Sequence, residues 1–243
     1  MLFRSQPIID VATGRMHKAE ALLRWDHPTR GAVAPEEFIA VAEETGLIVP
    51  IGDWVFHEAA RWAARWSAIS PNFQVTVNVS PVQFRAEAAA SRESWIARLG
   101  EGIMPRHAMA IEITEGLLLN AEGDVTGTLE SLRKAGLEIA VDDFGTGYSA
   151  LAYLQRFEIN LLKIDRAFVR SLEKQSNNAA LCEAIIVMAH ALHLRVVAEG
   201  VETPEQEQAL KRSGCDSMQG FWFSRPIPPE QLEAILRHGA QGR

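Results

Sequence analysis

Cysteine is nearly missing from this 243-residue chain: Cys182 and Cys215 are the only two, and they lie far apart. That excludes a disulfide framework and argues against a zinc centre, so a reducing, cytoplasmic setting is expected. Long apolar runs are missing too. The most apolar window, 184–198, is broken by His190, His193 and Arg195, which does not suit a membrane span. Met1-Leu2-Phe3-Arg4 leads straight into a strand-like segment, so no signal peptide is expected. Low-complexity tracts, linkers and short-period repeats are absent. Basic charge is in deficit, with 24 Lys and Arg against 31 Asp and Glu and a formal charge of −7. A nucleic-acid polymer or an acidic membrane is therefore a poor partner through bulk electrostatics. A small anionic substrate stays open if bound metal reverses the local sign.

What is present reads as an ordinary globular chain, 47% hydrophobic and 23% charged. Eight short apolar runs alternate with helical patterns. The runs are 5–10, 18–25, 74–80, 108–114, the stretch from Leu137 into Asp142-Asp143, 160–165, 195–198 and 217–223. Helices are expected from Pro35 to Gly46 and over about 50–69, 91–99, 124–135, 149–155, 177–192, 205–213 and 229–236, with a loop at 26–34. Phe38, Val41 and Ala42 give the first helix an apolar stripe. Trp54, Ala59, Trp62, Ala63 and Trp66 recur at helical spacing in the second and read as core-facing anchors. Only seven residues separate the first two strands. A parallel crossover needs about a dozen, so this pair must be an antiparallel hairpin. Strands and helices alternating within a length close to ~250 residues point to an α/β fold of modified TIM type, a (β/α)8 barrel with its first strand antiparallel to the rest. The whole chain, 1–243, reads as one domain.

Enzymes on such barrels work at the C-terminal strand ends, and polar residues gather there. Glu20, Leu22 and Arg24 share one face, as do Thr76, Asn78 and Ser80, and Glu112 lies on the next strand with Glu115 beyond it. Then come Asp142 with Asp143, Lys163 with Asp165, Glu199 and Gln219. The first strand runs the other way, which brings Gln6 to the same rim. Neighbouring strand residues point to opposite faces, so Asp142 and Asp143 converge only if the strand ends and turns, which Gly145 and Gly147 permit. Each residue alone has a bland explanation: a polar turn, a surface acid, one arm of a buried salt bridge. Together, so many carboxylates at one mouth would be costly without a cation.

A pair of divalent ions about 3.5–4 Å apart accounts for the set, since such a pair clamps the attacking and leaving oxygens of an in-line phosphoryl displacement. Oxygen ligands suit magnesium or manganese. Glu20, Asn78, Glu112 and Asp142 would hold one ion; Asp142 would bridge to the second, completed by Asp143, with Glu199 a further candidate ligand. Lys163 would orient the attacking water. Glu199 is either a ligand or the base that takes the water's proton. Glu20, Lys163 and Glu199 are thus the residues expected to carry catalysis. A lyase using Lys163 as a Schiff base is disfavoured, because surrounding acids raise a lysine pKa that nucleophilic use needs lowered.

The run Glu20-Ala21-Leu22-Leu23-Arg24-Trp25 resembles the signature of the EAL domains, phosphodiesterases of the bacterial second messenger cyclic di-GMP. Gln6-Pro7-Ile8, Asn78-Val79-Ser80, Glu112-Ile113-Thr114-Glu115, Asp142 to Gly147, Lys163-Ile164-Asp165, Glu199 to Thr203 and Gln219-Gly220-Phe221 resemble further motifs of that family in order. The resemblance implies a barrel with one antiparallel strand and hydrolysis of cyclic di-GMP to linear pGpG with two magnesium or manganese ions. It implies substrate contacts at Gln6, Leu22, Arg24, Asp165, Gln219 and Phe221, with Arg24 on phosphate. Glu115 would anchor the loop 144–149, which in the family couples dimerisation to metal binding, so a homodimer is implied. A catalytically silent cyclic di-GMP receptor or protein-interaction module is the alternative, although no ligand position is lost. The helix that usually precedes the first strand is missing. A longer parent is therefore expected, with an upstream sensory or diguanylate cyclase domain and the catalytic part cytoplasmic even if the parent is membrane-anchored.

Overall fold

Closure of the barrel is set by the two neighbours of the first strand. The computed structural model describes residues 1–119, 124–145, 151–170, 172 and 177–241. In it β1 (Leu2–Asp10) pairs antiparallel with β2 (Met16–His27), Gln6 facing Glu20. The tight turn between them is held by Asp10, whose carboxylate accepts from the Thr13 amide at 2.8 Å and hydroxyl at 2.6 Å, and Gly14 takes φ 66°. On its other side β1 pairs antiparallel with β9 (Ser217–Met218). The ring then runs in parallel through β4 (Gln74–Asn78), β5 (Met109–Thr114), β6 (Glu138–Phe144), β7 (Leu161–Ile164) and β8 (Arg195–Ala198). This is the barrel with one reversed strand that the seven-residue first connection required.

Helices cover the outside. α1 (Pro35–Glu44) and α2 (Ile48–Ser67) lead to β4, α3 (Ala89–Gly100) to β5, and the short α4 (Glu115–Leu119) with α5 (Asp124–Ala135) to β6. α6 (Leu151–Arg156), the single-turn α7 (Arg166–Val169) and α8 (Asn177–Ala191), then α9 (Pro204–Arg212) and α10 (Pro229–Gln241), complete the shell. Trp62 and Trp66 are buried between α2 and the strands, and Phe56 stacks on Trp95 of α3 at 4.5 Å. Inside the barrel Ile8, Ala140, Leu161 and Val197 form a separate apolar plug. Each stands two residues from Gln6, Asp142, Lys163 or Glu199 along its strand, so the plug lies one layer beneath the charged mouth. Among the described residues no helix is long and apolar enough to cross a membrane.

Several expectations need correction. The expected loop 26–34 contains β3 (Gly31–Val33), paired antiparallel with the end of β2; three residues are too few to show periodicity. The eighth strand stops at Met218 instead of Phe223, because Gly220 packs directly on the Val201 backbone and the chain turns there. Val41 and Trp54 are exposed, at 56% and 42%. Trp54 shares its helix face with Glu58, Arg61 and Arg65, while the stripe that packs inward is Val55, Ala59, Trp62 and Trp66. Part of the expected helix at 149–155, and most of the loop 144–149, lie outside the described residues.

Candidate active site

The two adjacent aspartates reach one mouth through a bulge. Val141 pairs with Leu162 and Phe144 with Ile164, so three residues of β6 span two of β7. Asp143 takes φ 54°, a left-handed conformation, and its amide donates to the Asp142 carboxylate at 3.0 Å. The strand does not end at the pair, as expected from sequence; it kinks and continues to Phe144. Oxygens of Asp142, Asp143 and Glu199 all lie within 4.8 Å of one another.

Lys163 stands at the centre of the mouth, 1% exposed. Its ammonium donates to Glu112 at 2.6 Å, and it lies 2.5 Å from Glu199, 3.3 Å from Asp142 and 3.7 Å from Glu20. Counting Asp143, five carboxylates therefore face one ammonium. Asn78 donates its side-chain amide to Glu20 at 2.7 Å, which ties the last of the expected ligands to the group. One oxygen of Glu112 is buried without any hydrogen-bond partner. Oxygen donors with an orphaned, buried carboxylate oxygen among them fit a hard divalent cation.

Electrostatics at this mouth carry the mark of crowding. Burial, reinforced by Glu20, pushes the Glu112 carboxyl well above the usual carboxylate range. Burial also raises Glu199 to about 8, with Asp142 and Glu20 adding to it and Lys163 opposing. Asp143 rises to about 6 through burial, the Asp142 charge and Asp165. Burial disfavours a charged Lys163, yet Asp142, Glu112, Glu199 and Glu20 outweigh it and hold the ammonium protonated well beyond its ordinary range. A protonated lysine is no nucleophile, so Schiff-base chemistry has no support here.

Outward from the acids, hydrogen bonds run to the neighbouring cavity. Gln219 donates to Glu20 at 2.6 Å and to Gln6 at 3.1 Å, and Gln6 donates to the Ser224 carbonyl at 3.1 Å. Both polar ends of the Gln6 amide are thus engaged within the protein, and Gln219 is 4% exposed. A cavity of about 610 Å³ opens beside them, with Leu22, Arg24 and Phe221 on its walls and Phe221 half exposed. Asp165 is not among its lining residues; it caps α7 through the Ala167 amide at 2.8 Å and faces Asp143. Glu115 accepts from the Gly145 amide at 3.3 Å, at the start of the loop it was expected to anchor.

Sequence reading overlooked Arg4, Arg166 and Arg225, which line the same cavity. Arg225 lies over the Phe221 ring at 4.3 Å. Its four-residue separation from Phe221 was the one available signal, and in an irregular segment that spacing has no periodicity to interpret.

Comparison with known proteins agrees with this geometry. The model of the EAL domain family matches residues 1–226. A bifunctional diguanylate cyclase/cyclic di-GMP phosphodiesterase, MucR of Pseudomonas aeruginosa, is 42% identical over 97% of this chain and 34% of its own length. The cyclic di-GMP phosphodiesterase NbdA of the same organism is 39% identical over 96% of this chain and 30% of its own. The chain spans about a third of the length of these curated relatives. A solved structure of the PaMucR phosphodiesterase in complex with c-di-GMP superposes with a TM-score of 0.88 at 40% identity, covering 95% of this chain and 93% of that one. A reversed first strand, an acid-lined mouth around a buried lysine and a family match along nearly the whole sequence lead to one assignment: this chain belongs to the EAL domain family.

Proposed function

We propose that this chain hydrolyses one phosphodiester of cyclic di-GMP to give linear pGpG at a two-ion centre of magnesium or manganese. The observation that carries the reading is the convergence of Glu20, Glu112, Asp142, Asp143 and Glu199 around Lys163, with a buried carboxylate oxygen left unpartnered. The named activity of MucR and NbdA, and the nucleotide in the PaMucR complex, support cyclic di-GMP as substrate. Glu20, Asn78, Glu112 and Asp142 would hold one ion, and Asp142, Asp143 and Glu199 the other. When bound, the ions supply a water nucleophile at neutral pH and charge stabilisation at the phosphate.

This chain's own groups do the rest. Arg24 offers a planar cation to the phosphate, and Phe221 an exposed ring on which a purine can stack. Gln6 and Gln219 hold Glu20 in place and tie it to the segment after Phe221. Leu22 gives an apolar wall, and Asp165 sets the start of α7 next to Asp143. Lys163 stays protonated and balances charge beside the attacked phosphate; Glu199, in contact with it, accepts the proton of the attacking water. The same reading includes a homodimer and a longer parent with an upstream sensory or cyclase domain, working in the cytoplasm.

Incubation with cyclic di-GMP and Mg2+ or Mn2+, with the products separated by ion-exchange chromatography, tests the proposal. pGpG is expected. Bound nucleotide with no pGpG at any protein concentration would leave a receptor module in place of an enzyme.

A further inference from the structure

The turn directly after Asn78 is clamped from three helices. Ser80, two residues on, donates its hydroxyl to the carboxylate of Glu43 on α1 at 2.6 Å, while the same oxygen accepts from the Val82 amide at 3.2 Å. Gln83 closes back on the Ser80 amide at 3.1 Å and is wedged against Gly52 of α2, where a Cβ would stand 2.1 Å from the Gln83 amide nitrogen. Arg92 of α3 donates to the Gln83 and Arg85 carbonyls at 2.6 and 2.8 Å. The Glu43 bond is charge-assisted, as are those of Arg92, and it alone fixes the rotor of the hydroxyl that also caps the turn.

Glu43, Ser80 and Asn78 line a cavity of about 480 Å³ whose wall also includes Glu112, Asp142 and Asp143. The clasp is therefore next to the acid cluster and shares its solvent. Asn78 has one amide hydrogen committed to Glu20, and its carbonyl oxygen is the donor left for a cation. The direction of that oxygen depends on where β4 ends: the Val79 amide donates to the Glu112 carbonyl of β5 at 2.9 Å, and Ser80 is the first residue beyond β4 held through its side chain. We infer that Glu43 is a positioning residue: by holding Ser80 it fixes the end of β4 and so aims the Asn78 carbonyl oxygen at the ion site. The inference rests on the two-ion reading above and adds a residue that neither the motif resemblance nor the acid cluster identifies.

The test uses Glu43→Ala, Glu43→Gln, Ser80→Ala and the double variant Glu43→Ala/Ser80→Ala. Mn2+ binding is measured by calorimetry without nucleotide, alongside the Mn2+ dependence of turnover and the melting temperature. Removing a hydrogen-bond partner that orients a metal ligand is expected to weaken Mn2+ binding by about 10- to 100-fold. Turnover at saturating Mn2+ should stay within about threefold of the parent, since no ligand is lost. Glu43→Gln, which keeps an acceptor oxygen, should recover most of the affinity. The double variant should be no weaker than the worse single one, because both remove the same bond. Unchanged Mn2+ affinity in Glu43→Ala, or additive losses in the double variant, would overturn the inference. So would a drop in melting temperature with no change in affinity. If Glu43→Ala does not fold, Ser80→Ala and Glu43→Gln decide between the same outcomes. A parent protein that binds no Mn2+ would instead sink the ion reading itself.

Discussion

Lys163 and Glu112 form an ion pair at 2.6 Å in which neither side chain is more than 1% exposed, and the second oxygen of Glu112 has no partner. Such a pair costs more to break than it gains by forming, because losing one member leaves an uncompensated charge in a dry interior. Lys163→Met should therefore destabilise the metal-free protein by about 3 kcal/mol or more, and added Mn2+ should restore part of the loss. Hydrolysis of cyclic di-GMP should fall at least ~100-fold. Thermal melts with and without EDTA read the first effect. An unchanged melting temperature in EDTA would contradict the burial argument.

Glu20 differs, because its neighbours keep other options when it goes. Gln219 retains Gln6, and Asn78 lies at the open mouth. Glu20→Ala should abolish turnover while changing stability by less than about 1 kcal/mol, as expected for a change that opens no core cavity. Chromatographic assay of pGpG together with a denaturant melt separates the two effects. Appreciable turnover would argue against Glu20 as a ligand.

The crowded acids also fix the sign of a pH dependence. Glu199 and Asp143 have folded pKa values of about 8 and about 6, raised above their unfolded values. Between pH 6.5 and 8 the folded state thus still holds the Glu199 proton that the unfolded state has already released, so metal-free stability falls as pH rises; Asp143 acts in the same direction lower down, up to about pH 6. Two other buried groups work in neighbouring windows. His17, lowered to about 4 chiefly by burial, costs stability only as pH falls below its unfolded value near 6.5. Lys18, lowered to about 8 by burial, lets stability rise only from pH 8 upward. Melting temperatures in EDTA should drop from pH 6.5 to 8, and saturating Mn2+ should flatten or reverse that slope. A flat profile in EDTA would mean the acids do not share protons as described.

Gly220 gives a steric prediction. A Cβ there would stand 2.0 Å from the Val201 carbonyl oxygen and 2.3 Å from its nitrogen, and neither atom belongs to a side chain that can swing away. Gly220→Ala should cost about 1–3 kcal/mol through backbone displacement. It should also raise KM for cyclic di-GMP, because Phe221 is the next residue. A normal melt with normal KM would show that the two segments separate freely.

Much of this was legible in the chain as written. The seven-residue first connection forced the hairpin, and period-two alternation with strand order placed Glu20, Asn78, Glu112, Lys163 and Glu199 toward one mouth of the barrel, because strand geometry and connection length are local constraints. The exposed faces of α1 and α2 were misread at Val41 and Trp54, since helical spacing alone does not say which edge of an apolar stripe meets the core. β3 escaped for a related reason: a three-residue strand exists only through its partner.

Residue types and spacing by themselves determined that acids would line one mouth of a barrel, and of what chemical kind. Only the tertiary structure decided that Lys163 would touch four of them, that a bulge rather than a strand end would turn Asp143 toward Asp142, and that Glu43 would reach Ser80. The contacts that produce those relationships, the β6–β7 pairing behind the bulge included, join segments tens of positions apart, and their distances follow from how helices and strands pack in three dimensions. No local rule along the backbone encodes them.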